Sequence, residues 1–201
     1  MGVGMVQGVV WRAAEQAPLL ERERELDTLT AAVDAAAGGR GGVVWIEGPA
    51  GIGKTSLLRA TRELARRAGL QVLHARPGPL EREFAFGAVR GLFEPAVTAQ
   101  PAVLATGPAR LAAPVVTLVE PSGRTAVTAE RLHGLYWLTV GLSDEAPLLL
   151  ALDDAHWADE PSLQALAYLA RRVEELPVAI LLATRSDLAA DGLDTIRDDP
   201  A

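Results

Sequence analysis

Cysteine is absent from this chain of 201 residues, and lysine occurs once. The first absence excludes disulfides and thiol chemistry and fits a cytoplasmic protein. Histidine is scarce as well. His74, His133 and His156 are too scattered for metal-ligand spacing. No apolar run reaches membrane-spanning length, and residues 1–10 lack the basic region of a signal peptide. A formal net charge of −7 leaves no basic footprint for DNA or RNA, so no direct nucleic-acid contact is expected from this segment. What is present suits one globular domain of ordinary size, with 49% hydrophobic and 22% charged residues. Residues 1–16 read as a loose tail, and residues 17–201 as the domain.

Eighteen of the 19 basic residues are arginine, and the one lysine, Lys54, falls in Gly48-Pro49-Ala50-Gly51-Ile52-Gly53-Lys54-Thr55. This is the pattern G-x-x-x-x-G-K-[ST], a phosphate-binding loop when a strand precedes it and a helix follows. Both are expected here. Val43-Val44-Trp45-Ile46 reads as a buried strand, and Leu57, Leu58, Leu64, Ala65 and Ala68 recur at helical spacing before Gly69. A compact ammonium fits beneath phosphates already wrapped by backbone, where a planar guanidinium does not. Gly48, Gly51 and Gly53 let N–H groups turn inward, and the helix N-terminus adds positive charge. The nucleotide-binding set is therefore residues 48–56: Gly48, Pro49, Ala50, Gly51, Ile52, Gly53, Lys54, Thr55 and Ser56. Lys54 is expected at the β- and γ-phosphates and Thr55 on Mg²⁺.

A metal at such a loop needs an acid. Leu148-Leu149-Leu150-Ala151-Leu152 reads as a buried parallel strand ending in Asp153-Asp154. Asp153 is the expected Mg²⁺ partner. Asp154 has two readings, as base or water-orienting group for hydrolysis, or as cap of a turn or of the following helix. Another apolar run, residues 178–184, ends in Arg185, either a γ-phosphate sensor or a surface arginine at a strand end. A guanine-reading N-K-x-D element would need a second lysine, so the expected ligands are ATP and ADP. No L-S-G-G-Q run is present, which disfavours a transporter-type ATPase.

Coarsely, the chain alternates helix and strand: a helix at 22–37, strands at 43–47 and 71–75, a helix to about 68, then an aromatic-rich helix from Phe84 cut at Pro95. Prolines at 95, 101, 108, 114 and 121 imply short helices and turns. Leu132, Leu135, Tyr136 and Leu142 mark a further helix. Asp159 is placed to cap the helix carrying Leu163, Leu166, Ala167, Ala170 and Val173, with Pro161 in its first turn. Alternation of this kind predicts an α/β fold, a P-loop NTPase three-layer αβα sandwich with a parallel sheet. The Gly-Val-Val-Trp shared by residues 8–11 and 42–45 is read as coincidence.

At this point the chain resembles a known group. Leu19-Leu20-Glu21-Arg22-Glu23-Arg24-Glu25-Leu26 is similar to the L-[VL]-G-R-E-x-E-L segment of the STAND-type AAA+ ATPase domains of large ATP-binding LuxR-type transcriptional regulators. Residues 81–95, EREFAFGAVRGLFEP, resemble their E-R-x-F-P-F-G-V-V-R-Q-L-F-E-P. Asp153-Asp154-Ala155-His156-Trp157-Ala158-Asp159 resembles D-D-x-H-W-x-D. The likeness runs from about Leu19 to Arg185, with Glu21 in place of a usual glycine and Ala85 in place of a common proline. The resemblance implies an ATP-operated switch whose N-terminal segment, Arg22 included, packs near the adenine. It also implies a sheet order of 5-1-4-3-2, of which four strands are readable. A lid and a C-terminal DNA-binding region are expected beyond this segment. His156 either orients a carboxylate or the switch loop, or makes a structural hydrogen bond. Trp157 is expected to pack between helix and sheet.

Three functions compete: a switch with slow ATP hydrolysis, a continuously cycling AAA+ ATPase, and a non-catalytic fragment. No arginine finger stands in a recognisable motif, which weighs against the second. The intact GKT and Asp-Asp pair weigh against the third. Without a fifth strand, residues 43–47 would form an apolar sheet edge, so self-association of the isolated segment is expected.

Overall fold

The structure, a computed structural model, describes residues 22–105, 107–117 and 126–186, with residues 193 and 196. Residues 1–16, Leu19 to Glu21, the first Gly-Val-Val-Trp and Pro121 lie outside the described residues.

The first helix, α1, is Glu23–Ala37. It buries Leu29, Val33 and Ala36, spaced three or four apart, and ends where Gly39 takes a left-handed φ of 87°. Strand β1 is Gly42–Gly48, and α2, Lys54–Arg67, follows the glycine loop. Strand β2 is Gln71–Ala75. Then come α3 (Gly87–Ala99), α4 (Ala113–Val116) and α5 (Ala129–Ser143). Strand β3 is Leu148–Leu152, α6 is Glu160–Ala170 and β4 is Val178–Arg185.

The four strands pair in parallel in the order β1-β4-β3-β2. The acid-bearing β3 is thus separated from β1 by β4, as expected, and β1 and β2 are the outer strands among the described residues. Strand alternation divides the core in two. Leu149 and Ala151 of β3 and Ala179, Leu181 and Ala183 of β4 pack against α1 and α2. Leu148, Leu150 and Leu152 with Val178, Ile180 and Leu182 pack against α3, α5 and α6. Period-2 side-chain placement on a doubly covered sheet requires both sets to be apolar. The register sets Arg185 opposite Gly48 and Leu152 opposite Leu182, so the C-terminal ends of the strands gather at one rim.

The aromatic-rich helix departs from expectation at both ends. Residues Pro79–Glu83 form a 3-10 turn, Phe86 takes a left-handed φ of 60°, and α3 begins only at Gly87. Phe84 stays exposed while Phe86 and Phe93 are buried. The helix also runs through Pro95 to Ala99. Proline removes one ladder bond, but Ala96 and Val97 beyond it are buried, so packing holds the last turn. Val173, read as part of α6, is buried in the turn that follows that helix. The proline-rich stretch forms short turns, Pro101–Leu104 and Pro108–Ala112, each opening on proline, whose fixed φ suits a first turn.

Candidate functional site

The loop between β1 and α2 depends on its glycines. Gly51 and Gly53 have φ of 78° and 94°, a region that side chains avoid. A Cβ on Gly48 would lie 3.0 Å from Ile52 Cγ2. Lys54, the first residue of α2, is buried, and its Nζ donates to the carbonyls of Gly48 and Pro49, both at 2.8 Å. The ammonium is thereby folded back over the loop that Pro49, Ala50, Gly51 and Ile52 trace, while Ser56 N donates to the Gly53 carbonyl.

Thr55 Oγ1 donates to Asp153 Oδ2 at 3.0 Å, joining residues 98 positions apart. Asp153 is 1% exposed, and its Oδ1 accepts from the Asp154 backbone N–H at 3.0 Å. Asp154 sits in left-handed backbone (φ 51°, ψ 43°) and makes no side-chain capping bond to the turn Ala155–Trp157. The capping alternative for Asp154 is thereby corrected. Its carboxylate is taken by Arg76, with Nε at 2.8 Å and Nη2 at 2.7 Å from Oδ2. Arg76 also lies 3.6 Å from Asp153 Oδ2. The hydrogen bond to Asp154, then the charges of Asp154 and Asp153, push the Arg76 pKa up. Sequence reading missed Arg76. The available signal was its place as the first charged residue after β2, at the rim where parallel sheets bind ligands.

Arg22 lies at the start of α1. Its Nη2 donates to the Ile52 carbonyl at 2.7 Å and its Nη1 to Glu25 at 3.1 Å, which ties that helix to the loop. Beside it an open cleft of about 280 Å³ follows β1, lined by Arg22, Glu25 and Thr28 on one side and Trp45 and Glu47 on the other. Arg185 ends β4 level with the first loop glycine. All the expected site residues therefore meet at one rim.

The last acid of the 153–159 segment does more than expected. Asp159 caps α6 by accepting from Ser162 N at 2.9 Å and Ser162 Oγ at 2.7 Å. It also accepts from Phe86 N at 2.6 Å and Ala88 N at 3.1 Å, and Ser162 Oγ accepts from Val89 N. One buried carboxylate thus binds the start of α3 to the acid loop, so the two motifs read separately form one bonded unit. Arg82 completes the join, 5.7 Å over the Trp157 ring, and the His156 ring lies tilted against the same indole with ring centroids 5.1 Å apart. Trp157 is half-buried.

Among the described residues, no three His, Cys, Asp or Glu side chains are arranged to hold a metal by themselves. Thr55 and Asp153 fit the smaller protein share of a Mg²⁺ whose other ligands come from phosphates and water. No described helix is long and apolar enough to cross a membrane.

A threonine following the loop lysine, bonded to the acid of a strand one place removed across the sheet, places this protein among the P-loop NTPases. Within that class, residues 18–182 match the AAA ATPase domain, and the chain belongs to that family. It is similar to an uncharacterized protein of Rhizobium meliloti (strain 1021), 30% identical over 199 residues. That match covers 88% of this chain and 19% of the relative, so the chain spans about a fifth of the relative's length. Among solved structures it is similar to CDC6P from Pyrobaculum aerophilum, with TM-score 0.57 and 17% identity, covering 92% of this chain and 46% of that one. This likeness concerns the fold alone. The ORC2 protein of Aeropyrum pernix, in ADPNP–ADP complexes, overlaps with TM-score 0.49 and 21% identity, over 94% and 47% of the two chains.

Proposed function

We propose that this domain binds MgATP and hydrolyses it slowly, as the switch module of a STAND-type regulator of the LuxR kind. The observation that carries the reading is the Arg76–Asp154 pair. A base for hydrolysis must accept a proton from water, and Asp154, the group proposed for that role, has one carboxylate oxygen held by the Arg76 guanidinium. That favours a state that holds nucleotide over a continuously cycling engine. The buried Lys54 and the Thr55–Asp153 bond favour a working site over a vestigial one.

In this reading the loop N–H groups and Lys54 bind the phosphates, and Thr55 and Asp153 hold Mg²⁺. The bound ion neutralises phosphate charge. Asp154 orients water once Arg76 releases it, and Arg185 contacts the γ-phosphate. Arg22 holds the loop beside the adenine. The lack of a second lysine favours adenine over guanine. DNA contact, a lid and the inducing signal belong to regions outside this segment, in a cytoplasmic protein.

Asp154→Asn tests the assignment. ATP affinity is expected to stay within a factor of about two while single-turnover hydrolysis falls about 100-fold, the scale of a lost general base. Hydrolysis at the wild-type rate would remove Asp154 from the mechanism. Arg185→Ala tests the sensor. Its loss is expected to weaken ATP binding about tenfold and leave ADP binding nearly unchanged, since only the triphosphate offers the contact. Calorimetry on both nucleotides decides, and an unchanged affinity ratio counts against the role.

A further inference from the structure

Two half-buried side chains meet where α2 crosses the outer strand β2. On β2, Val72 packs with the α1–α2 side of the core and Leu73 and Ala75 with the other, so His74 faces α2. On α2, Arg62 lies one turn from the buried Leu58 and Ala65 and is itself half-buried. Its Nε is enclosed without a hydrogen-bond partner. Among the described residues, neither Arg62 nor His74 makes a hydrogen bond or an ion pair. His74 feels the charges around it. Burial lowers its pKa first and Arg62 next; Asp153 opposes, and Arg66 and Arg76 lower it further. Burial and then Arg66 lower the Arg62 pKa, again against Asp153.

The acids around this pair are engaged. Asp153 Oδ1 accepts from Asp154 N, and its Oδ2 accepts from Thr55 Oγ1 and lies 3.6 Å from Arg76. Asp154 is taken by Arg76. Glu63 is shared between Arg67, at 3.2 Å, and Arg66, at 3.8 Å. An enclosed donor without an acceptor is rare in folded proteins and calls for a partner. Here the partner must be an anion, since the neighbours on both elements are cations.

We infer that Arg62, His74 and Arg66 form a binding site for a phosphate-class dianion at the α2–β2 edge. A guanidinium fork binds two phosphate oxygens at once, and an anion beside the imidazole favours its protonated form, which adds a donor. A carboxylate carries half the charge and leaves one of these groups unmet. A long polyanion fits poorly, because Glu63, Asp153 and Asp154 flank the site and the chain carries a net charge of −7. Two sources share the chemistry, the free ion and the phosphoryl group of a small molecule. None of the three residues belongs to the glycine loop, so the site stands apart from the nucleotide reading.

The test is an NMR titration of the full 201-residue chain with inorganic phosphate at constant ionic strength. The chain has three histidines, so three imidazole signals are followed, and His74→Gln assigns the one at the site. The His74 signal is expected to move saturably, with half-saturation at about 1 mM phosphate. His133, on α5 across the sheet, is expected to stay. Arg62→Gln should weaken binding about tenfold and Arg66→Gln about threefold, as lost charge-assisted bonds do. Arg59→Gln removes the same charge from an exposed position of α2 and should change binding less than about twofold. Thermal melting checks each fold. Where Arg62→Gln melts early, Arg62→Lys takes its place, keeping the charge without the fork, with about fivefold weakening expected. Glycerol phosphate separates the sources: a site that takes inorganic phosphate alone serves the free ion, and one that takes both serves a phosphorylated small molecule. A His74 signal that moves no more than that of His133 overturns the inference. So does a response that Arg62→Gln and Arg62→Lys leave at wild-type strength, as binding in the glycine loop would give. Chloride that reproduces the shift at equal ionic strength reduces it to screening and overturns the site as well.

Discussion

Replacing Lys54 with alanine is expected to abolish MgATP binding. Its Nζ already lies between the Gly48 and Pro49 carbonyls, at 2.8 Å from each, over the loop that is expected to cradle the phosphates. No other lysine exists to substitute, and the guanidinium of Arg76 is engaged with Asp154. Backbone N–H groups alone leave the β/γ charge without a mobile counter-ion. With ligand about 100-fold above its dissociation constant, wild type should gain about 2.7 kcal/mol of stability, and the variant none. Thermal shift with and without MgATP reads this directly. An equal shift in Lys54→Ala would overturn the loop assignment, whatever the hydrolysis rate.

Replacing Asp159 with alanine is expected to cost about 3–5 kcal/mol of folding stability. Asp159 is 2% exposed and accepts four hydrogen bonds, from Phe86 N, Ala88 N, Ser162 N and Ser162 Oγ. Removing the carboxylate strands three backbone N–H groups at the starts of two helices. It also frees Phe86, whose left-handed backbone the bond helps to hold. Asp159→Asn, which keeps one acceptor oxygen, should lose less. Urea unfolding of the three proteins tests the ranking. A loss under about 1 kcal/mol for alanine would mean that water reaches these groups and that the motifs are not welded.

The phosphate loop was legible because its chemistry is contiguous. Glycines at 48, 51 and 53 and the Lys-Thr pair act within eight residues, and the strand before them and helix after them announce themselves by apolar spacing. The acids were legible for a similar reason, since an apolar run that stops at Asp153-Asp154 puts charge at a strand end. Arg76 carried no comparable signal. It is one arginine among 18, and its partner Asp154 lies 78 residues away. Asp159 was legible only as the cap of its own helix, because its bonds to Phe86 and Ala88 cross more than 70 residues. The start of α3 was misplaced for the same reason. The left-handed Phe86 that delays it is paid for by that distant carboxylate.

The sequence by itself determined the doubly covered parallel sheet, the loop that closes its first strand, and the acids at the rim. Each depends on periodicity or on residues close in the chain, where spacing translates directly into side-chain direction. Tertiary structure alone decided which groups hold those residues. It set Arg76 on Asp154, bound the acid loop to α3 through Asp159, and carried α3 through Pro95. The physical reason is that such bonds form between groups brought near only by the stacking of strands β2, β3 and β4. Nothing local in the chain distinguishes a partnered side chain from a solvated one until that stacking is complete.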